Sequence, residues 1–244
     1  LLFVMLFTLP FAWIYLLPST YVDFSKSILY SLGFSSNFFF HYSGQEYGAE
    51  NGLLKPFLHT WSLSVEEQYY VLFPIILLII FKYFKKYLGI TLVIGFLLSL
   101  FIAHWGSKNY PSANFYFLHS RMWELIAGSI LAYFEFFRCL DRQAEKFKKF
   151  DTLFLSLGII LIALSITFHK QYFPHPSFYT LPAIIGVCLI IWFSNKDEPI
   201  TKILSSKPFV GLGLISYSLY LWHYPIFAFA RISENFFTGS FINI

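Results

Sequence analysis

A chain of 244 residues that is 57% hydrophobic and 23% aromatic but only 12% charged is no ordinary soluble domain, in which roughly a quarter of residues carry charge. Its net charge of +4 comes without a basic stripe, which argues against nucleic acid as a partner. Cys139 and Cys188 stand far apart with no CxxC, so neither a disulfide framework nor a thiolate metal centre is expected, and no metal site is assigned.

Runs of about 17 to 25 apolar residues are long enough to cross a hydrocarbon layer. Seven occur, at roughly 1–17, 61–81, 88–105, 119–137, 152–168, 179–194 and 209–230. The expected fold is all-α, a polytopic transmembrane helix bundle forming a single domain over 1–244. The first run starts at Leu1 without the basic leader and small-residue cleavage site of a signal peptide. Together with an ending in ENFFTGSFINI, this leads us to expect a domain truncated at both ends. Residues 28–40 (ILYSLGFSSNFFF), interrupted by Gly33, Ser35, Ser36 and Asn37, are too short to cross and are expected to lie at the interface or to re-enter.

Lys82, Lys85 and Lys86 fall in one connection, and Arg138, Arg142, Lys146, Lys148 and Lys149 in the next but one. Lys196, Lys202 and Lys207 follow in the next but one again, so that 11 of 17 Lys and Arg residues share one side. Basic loops stay in the cytoplasm, which places the end of the last span outside.

Ionisable groups at membrane depth are costly and face a bundle interior or a wet cavity. Three stretches carry them. In FLHTWSLSVEEQYYVLFP (57–74), helical spacing puts His59, Leu63, Glu66 and Tyr70 on one face. A carboxylate beside an imidazole and a phenol suits proton transfer or the holding of a polar substrate. A structural reading competes: Ser64-Val65-Glu66-Glu67 fits a capping box in which Ser64 and Glu67 satisfy a helix start, accounting for Glu67 but not for Glu66. In FYFLHSRMWELIAGSILAY (115–133), Arg121 and Glu124 either pair with each other or offer a guanidinium fork to a phosphate or an oxyanion. In GLGLISYSLYLWHYPIFAFAR (211–231), Trp222 and His223 precede Pro225, which breaks the helix ladder; against a role for His223 stands the ordinary reading of a hydrogen-bonded structural histidine. Histidines 41, 104, 169 and 175 receive no role. No phosphate loop, H-E-x-x-H or G-x-S-x-G is present. The residues alone leave three readings open: an enzyme, a transporter or flippase of envelope sugars, and a non-catalytic membrane scaffold.

LHTWSLSVEEQYYVLFP resembles the hallmark of the acyltransferase 3 family, in its branch that O-acetylates bacterial cell-surface polysaccharides. The resemblance continues in order through SNFFF before it, FYFLHSRMWELIAGSILA after it and ISYSLYLWHYPIF near the end, spanning residues 36–227. It implies a bundle of about ten helices, each long enough to span, about seven of which are present here. It also implies a membrane O-acyltransferase that moves acetyl from acetyl-CoA, a donor co-substrate rather than a bound cofactor, to a hydroxyl of O-antigen or peptidoglycan. The expected partners are membrane lipid, acyl-CoA and a polysaccharide or lipid-linked glycan, and the expected location is the bacterial inner membrane. On this resemblance Glu66, Arg121 and His59 form the expected catalytic set, and Glu67, Trp61, Tyr70, Glu124, Trp222 and His223 the expected substrate-contacting set. The family's catalytic His on its first span, its nearby Arg and the arginine-rich segment after its second span have no counterpart in 1–244. Nor has the SGNH hydrolase-like domain of many relatives. The parent is therefore expected to be an enzyme and this chain alone inactive.

Overall fold

The computed structural model describes residues 1–45, 51–140, 150–168, 174–196 and 198–238. Arg142, Lys146, Lys148, Lys149, His169 and Lys170 lie outside the described residues, so part of the expected basic side does too. Among the described residues the chain is helical with no strand, an all-α fold. Two compact units divide it: Leu1–Gln68 with Gly211–Ile244, and Tyr69–Val210.

The first unit holds α1 (Leu2–Tyr15), α2 (Pro18–Leu32), α3 (Ser36–Ser43), the start of α4 (Thr60–Tyr83) and most of α11 (Lys207–Thr238). Pro18 opens α2 at its first turn, where its missing N–H would be unpaired anyway. The helix closes at Gly33, whose N–H bonds the Leu29 carbonyl. Phe34 follows in the left-handed region at φ 50°, a conformation a β-carbon disfavours. The stretch 28–40, expected as one interfacial segment, is therefore split between two helices by a turn at Gly33–Ser35.

The start of α4 also differs from the capping-box reading. The helix begins at Thr60, so Ser64 lies inside it and its hydroxyl meets Ser36 instead, at 2.7 Å. Buried hydroxyls continue from there: Thr60 bonds Ser36 at 3.1 Å and Ser31 at 2.7 Å. Such side-chain bonds join helices where packing against lipid supplies no hydrophobic drive. They fix the first turn of α4 against α2 and α3.

The second unit contains the rest of α4, then α5 (Leu88–Asn109), α6 (Pro111–Tyr116), α7 (Leu118–Leu140), α8 (Asp151–Phe168), α9 (Leu181–Phe193) and α10 (Pro199–Leu204). Its core joins Ile80, Leu88 and Leu92 at one level and Leu100, Ala103 and Trp123 at another. The contact of α8 with α9 depends on Gly158 and Gly186: a methyl group at either would stand 2.7 Å from the other's carbonyl oxygen. Gly158→Ala is expected to cost about 1–3 kcal/mol by forcing the helices apart. Thermal unfolding of the detergent-solubilised full-length protein measures this, and an unchanged midpoint would contradict the close crossing.

A helix stands at each of the seven expected spans. Three are long and apolar enough to cross a membrane, namely Thr60–Tyr83, Lys85–Asn109 with its leading turn, and Asp151–Phe168. Only 17 to 28% of the residues in their apolar windows are buried, so these helices turn oily surface outward, as lipid rather than water requires. The protein is an integral membrane protein. The helices α1 and α9 are apolar but shorter, and α7 carries Arg121 and Glu124 in its opening turns.

Candidate functional site

In the first unit the polar residues gather at His59, immediately ahead of α4. The residue is 6% exposed, and beyond the Pro56 backbone its ring has no close hydrogen-bond partner among the described residues. Aromatic rings hold it instead. Tyr224 stacks at 5.4 Å and Phe57 at 6.4 Å between centroids, while Tyr220 and His223 meet it edge-on at 5.2 and 5.5 Å. Buried polar atoms are nearly always paired, so this imidazole keeps capacity for a further hydrogen bond.

Its surroundings are themselves fixed. Tyr220 donates to the His59 carbonyl at 2.5 Å and meets the Ser62 hydroxyl at 2.6 Å. Tyr224 donates to the Gly52 carbonyl at 2.9 Å. The Nδ1 of His223 lies 2.7 Å from the Tyr220 carbonyl; a carbonyl can only accept, so Nδ1 carries the proton and Nε2 is left as acceptor when the ring is neutral. Gln68 donates to the Phe34 carbonyl at 2.7 Å and to Asn37 Oδ1 at 2.9 Å, holding the left-handed turn against α4.

His59 precedes the spanning helix, and its pKa is lowered from 6.5 to about 4. Burial is the main cause and the charge of His223 the second, with a smaller opposing contribution from the Pro56 backbone. The imidazole is therefore neutral at physiological pH, the state a proton acceptor needs.

Of the other predicted residues in this unit, Glu66 is exposed, Glu67 and Trp61 are half-buried, and Trp222 packs edge-on against Phe3 and Phe7 of α1. The structure thus joins His223 to His59 and gives Trp222 to the α1–α11 packing. Tyr70, at the start of the second unit's share of α4, is 57% exposed.

In the second unit, Arg121 pairs with Glu124 across one helical turn at 3.7 Å, with side chains 11% and 23% exposed. The guanidinium also donates to His175 Nε2 at 3.0 Å and to the Phe115 carbonyl at 3.3 Å and lies 5.0 Å over the Phe115 ring. Behind it, Asn114 donates to the Pro176 carbonyl at 3.1 Å, in space that Gly106 leaves open: a methyl there would lie 2.6 Å from Asn114 Oδ1. A cavity of about 570 Å³ runs between α5, α7 and α9, lined by residues such as Phe96, Ile130, Ile184, Cys188 and Trp192. Its walls are almost wholly apolar and offer little to orient a sugar.

The sequence assigns no role to His175, Tyr220 or Ser62. Tyr220 and Tyr224 stand four residues apart ahead of Pro225, a helical spacing that is the signal by which this hydroxyl-bearing face of α11 can be found.

The acyltransferase domain family matches residues 1–239. The peptidoglycan O-acetyltransferase OatA of Listeria monocytogenes is 31% identical over 238 residues, covering 86% of this chain and 38% of that protein. The O-acetyltransferase OatA of Staphylococcus aureus is 28% identical over 236 residues, covering 93% and 38%. A putative peptidoglycan O-acetyltransferase of Bacillus subtilis, YrhL, is 29% identical over 205 residues, covering 80% and 32%. The chain thus spans well under half the length of these relatives. No solved structure matches. With a family match running almost from end to end and enclosing all three polar motifs, the chain belongs to the acyltransferase 3 family.

Proposed function

We propose that the full-length protein is a multi-pass O-acetyltransferase of the bacterial inner membrane, taking acetyl from acetyl-CoA and delivering it to a hydroxyl of a cell-wall polysaccharide. Relatives named for peptidoglycan favour that acceptor over a lipopolysaccharide. The observation that carries the chemical reading is His59: buried, neutral and, beyond the Pro56 backbone, with no close hydrogen bond to its ring among the described residues. In the reaction the acceptor hydroxyl oxygen bonds the thioester carbonyl carbon, the C–S bond breaks, and the hydroxyl proton passes, by way of the family's first-span histidine with His59 in support, to the leaving thiolate. His223 limits the charge His59 can hold before transfer. Within the first unit Glu66 and Glu67, with Trp61, are assigned to orienting the sugar; in the second unit Arg121, held by Glu124 and His175, is assigned to a negatively charged group of the substrate.

Membranes from cells carrying the full-length gene, given acetyl-CoA labelled in the acetyl group together with peptidoglycan, test this. Alkali-labile label on the glycan is expected, reduced in a Glu66→Gln variant. Glycan that crosses the membrane unlabelled would replace the enzyme with a transporter. Label confined to the thioester, with no glycan movement, would leave a scaffold.

A further inference from the structure

We infer that Tyr220 and Ser62 are positioning residues that aim the imidazole of His59, an inference that rests on the proposed role of His59. Apart from its contact with the Pro56 backbone, the His59 ring makes no close hydrogen bond among the described residues, so its direction is set mainly by packing and by its backbone. That backbone is held from α11. Tyr220 commits its single proton to the His59 carbonyl at 2.5 Å, and with that proton spent its oxygen accepts from Ser62 at 2.6 Å. The His59 carbonyl is the group that starts α4, which begins at the next residue. The Tyr220 ring, meanwhile, bears edge-on on the imidazole at 5.2 Å. One side chain therefore fixes both the main chain and one wall of the ring it serves. Both hydroxyls engage each other and the His59 carbonyl rather than the ring nitrogens, so both act through His59 rather than on substrate.

The strut gives α4 little it lacks. Its first turn is already tied by Thr60 to Phe57, Ser31 and Ser36. What Tyr220 adds is a contact from a different helix, made at the residue that bears the imidazole. Misplacing a reacting group by even a fraction of an ångström slows the chemical step more than it weakens binding.

Tyr220→Phe keeps the ring and removes both hydrogen bonds. In membranes of the full-length protein, with acetyl-CoA and peptidoglycan as substrates, it is expected to lower kcat per folded protein about tenfold, with KM for acetyl-CoA within about twofold. Ser62→Ala is expected to lower kcat less, Ser62→Thr to restore it, and the double variant to be within about twofold of Tyr220→Phe, because the direct reach of Ser62 to the His59 carbonyl is long, 3.5 Å, and it acts mainly through the tyrosine oxygen at 2.6 Å. Equal kcat per folded protein in Tyr220→Phe, alongside loss of activity in His59→Gln, would overturn this inference and leave the proposed function standing. So would a fall in the amount of folded protein alone. Full activity in both variants would remove His59 as well.

Discussion

Replacing His59 by Gln in the full-length protein is expected to lower polysaccharide O-acetylation by about 100-fold or more, the scale of a group that takes part in positioned proton transfer. Gln is of similar size and keeps a polar tip, so the aromatic enclosure formed by Phe57, Tyr220 and Tyr224 survives and the membrane content of the protein should be unchanged. The rate of the unmodified enzyme should also carry an acid limb of unusual position. With its pKa lowered to about 4, His59 stays a free base through the window between about 4 and 6.5 in which an ordinary histidine protonates. His223→Ala removes the second cause of that lowering and uncovers part of the ring, both of which raise the pKa, so the limb should move to higher pH. Stability follows the same sign. The unfolded chain takes the proton first, so the contribution of neutral His59 is full above about pH 6.5 and is lost progressively as pH falls toward 4. His59→Gln should flatten that slope. Rates measured against pH in membrane vesicles check this, and a limb at the same pH in the His223→Ala variant would break the link between the two histidines.

The apolar helices were legible because apolar runs need no long-range information: a helix stands at each expected span, and three of these are long and apolar enough to cross a membrane. The helix α2 was not legible, since Asp23, Lys26 and several hydroxyl residues hide it from a search for apolar runs. Its buried face is Phe24, Ser27 and Ser31, a helical spacing in which small hydroxyl residues pack helices together. The same spacing rule placed His59 on a face with Leu63, Glu66 and Tyr70, yet the residue lies one position before the helix and is enclosed from α11 by residues such as Tyr220 and Tyr224. Contacts separated by 161 residues leave no periodic trace. Nor does the contact of Arg121 with His175, across 54 residues. By contrast the Arg121–Glu124 pair, weighed as a local alternative from its three-residue spacing, is present. What was readable at the site was local chemistry; which partner closes on it was set by tertiary packing.

Arg121→Met is expected to destabilise the protein by about 3–5 kcal/mol, because it leaves the mostly buried carboxylate of Glu124 without its cation. Loss of activity in that variant alone would not separate a chemical role from a structural one. The double variant Arg121→Met/Glu124→Leu separates them. Removing both charges abolishes the uncompensated group, and an apolar pair in place of a buried ion pair is commonly neutral or stabilising, so folding should return. His175 and the Phe115 carbonyl lose the guanidinium they accept from, a smaller cost of about 1–3 kcal/mol each at most. If Arg121 holds a negatively charged group of the substrate, the double variant should be present at normal levels in the membrane and still at least about 100-fold slower in acetyl transfer. Acetylation restored along with folding would assign the Arg121–Glu124–His175 cluster to holding α7 against the segment before α9, and would leave His59 as the centre of the chemistry.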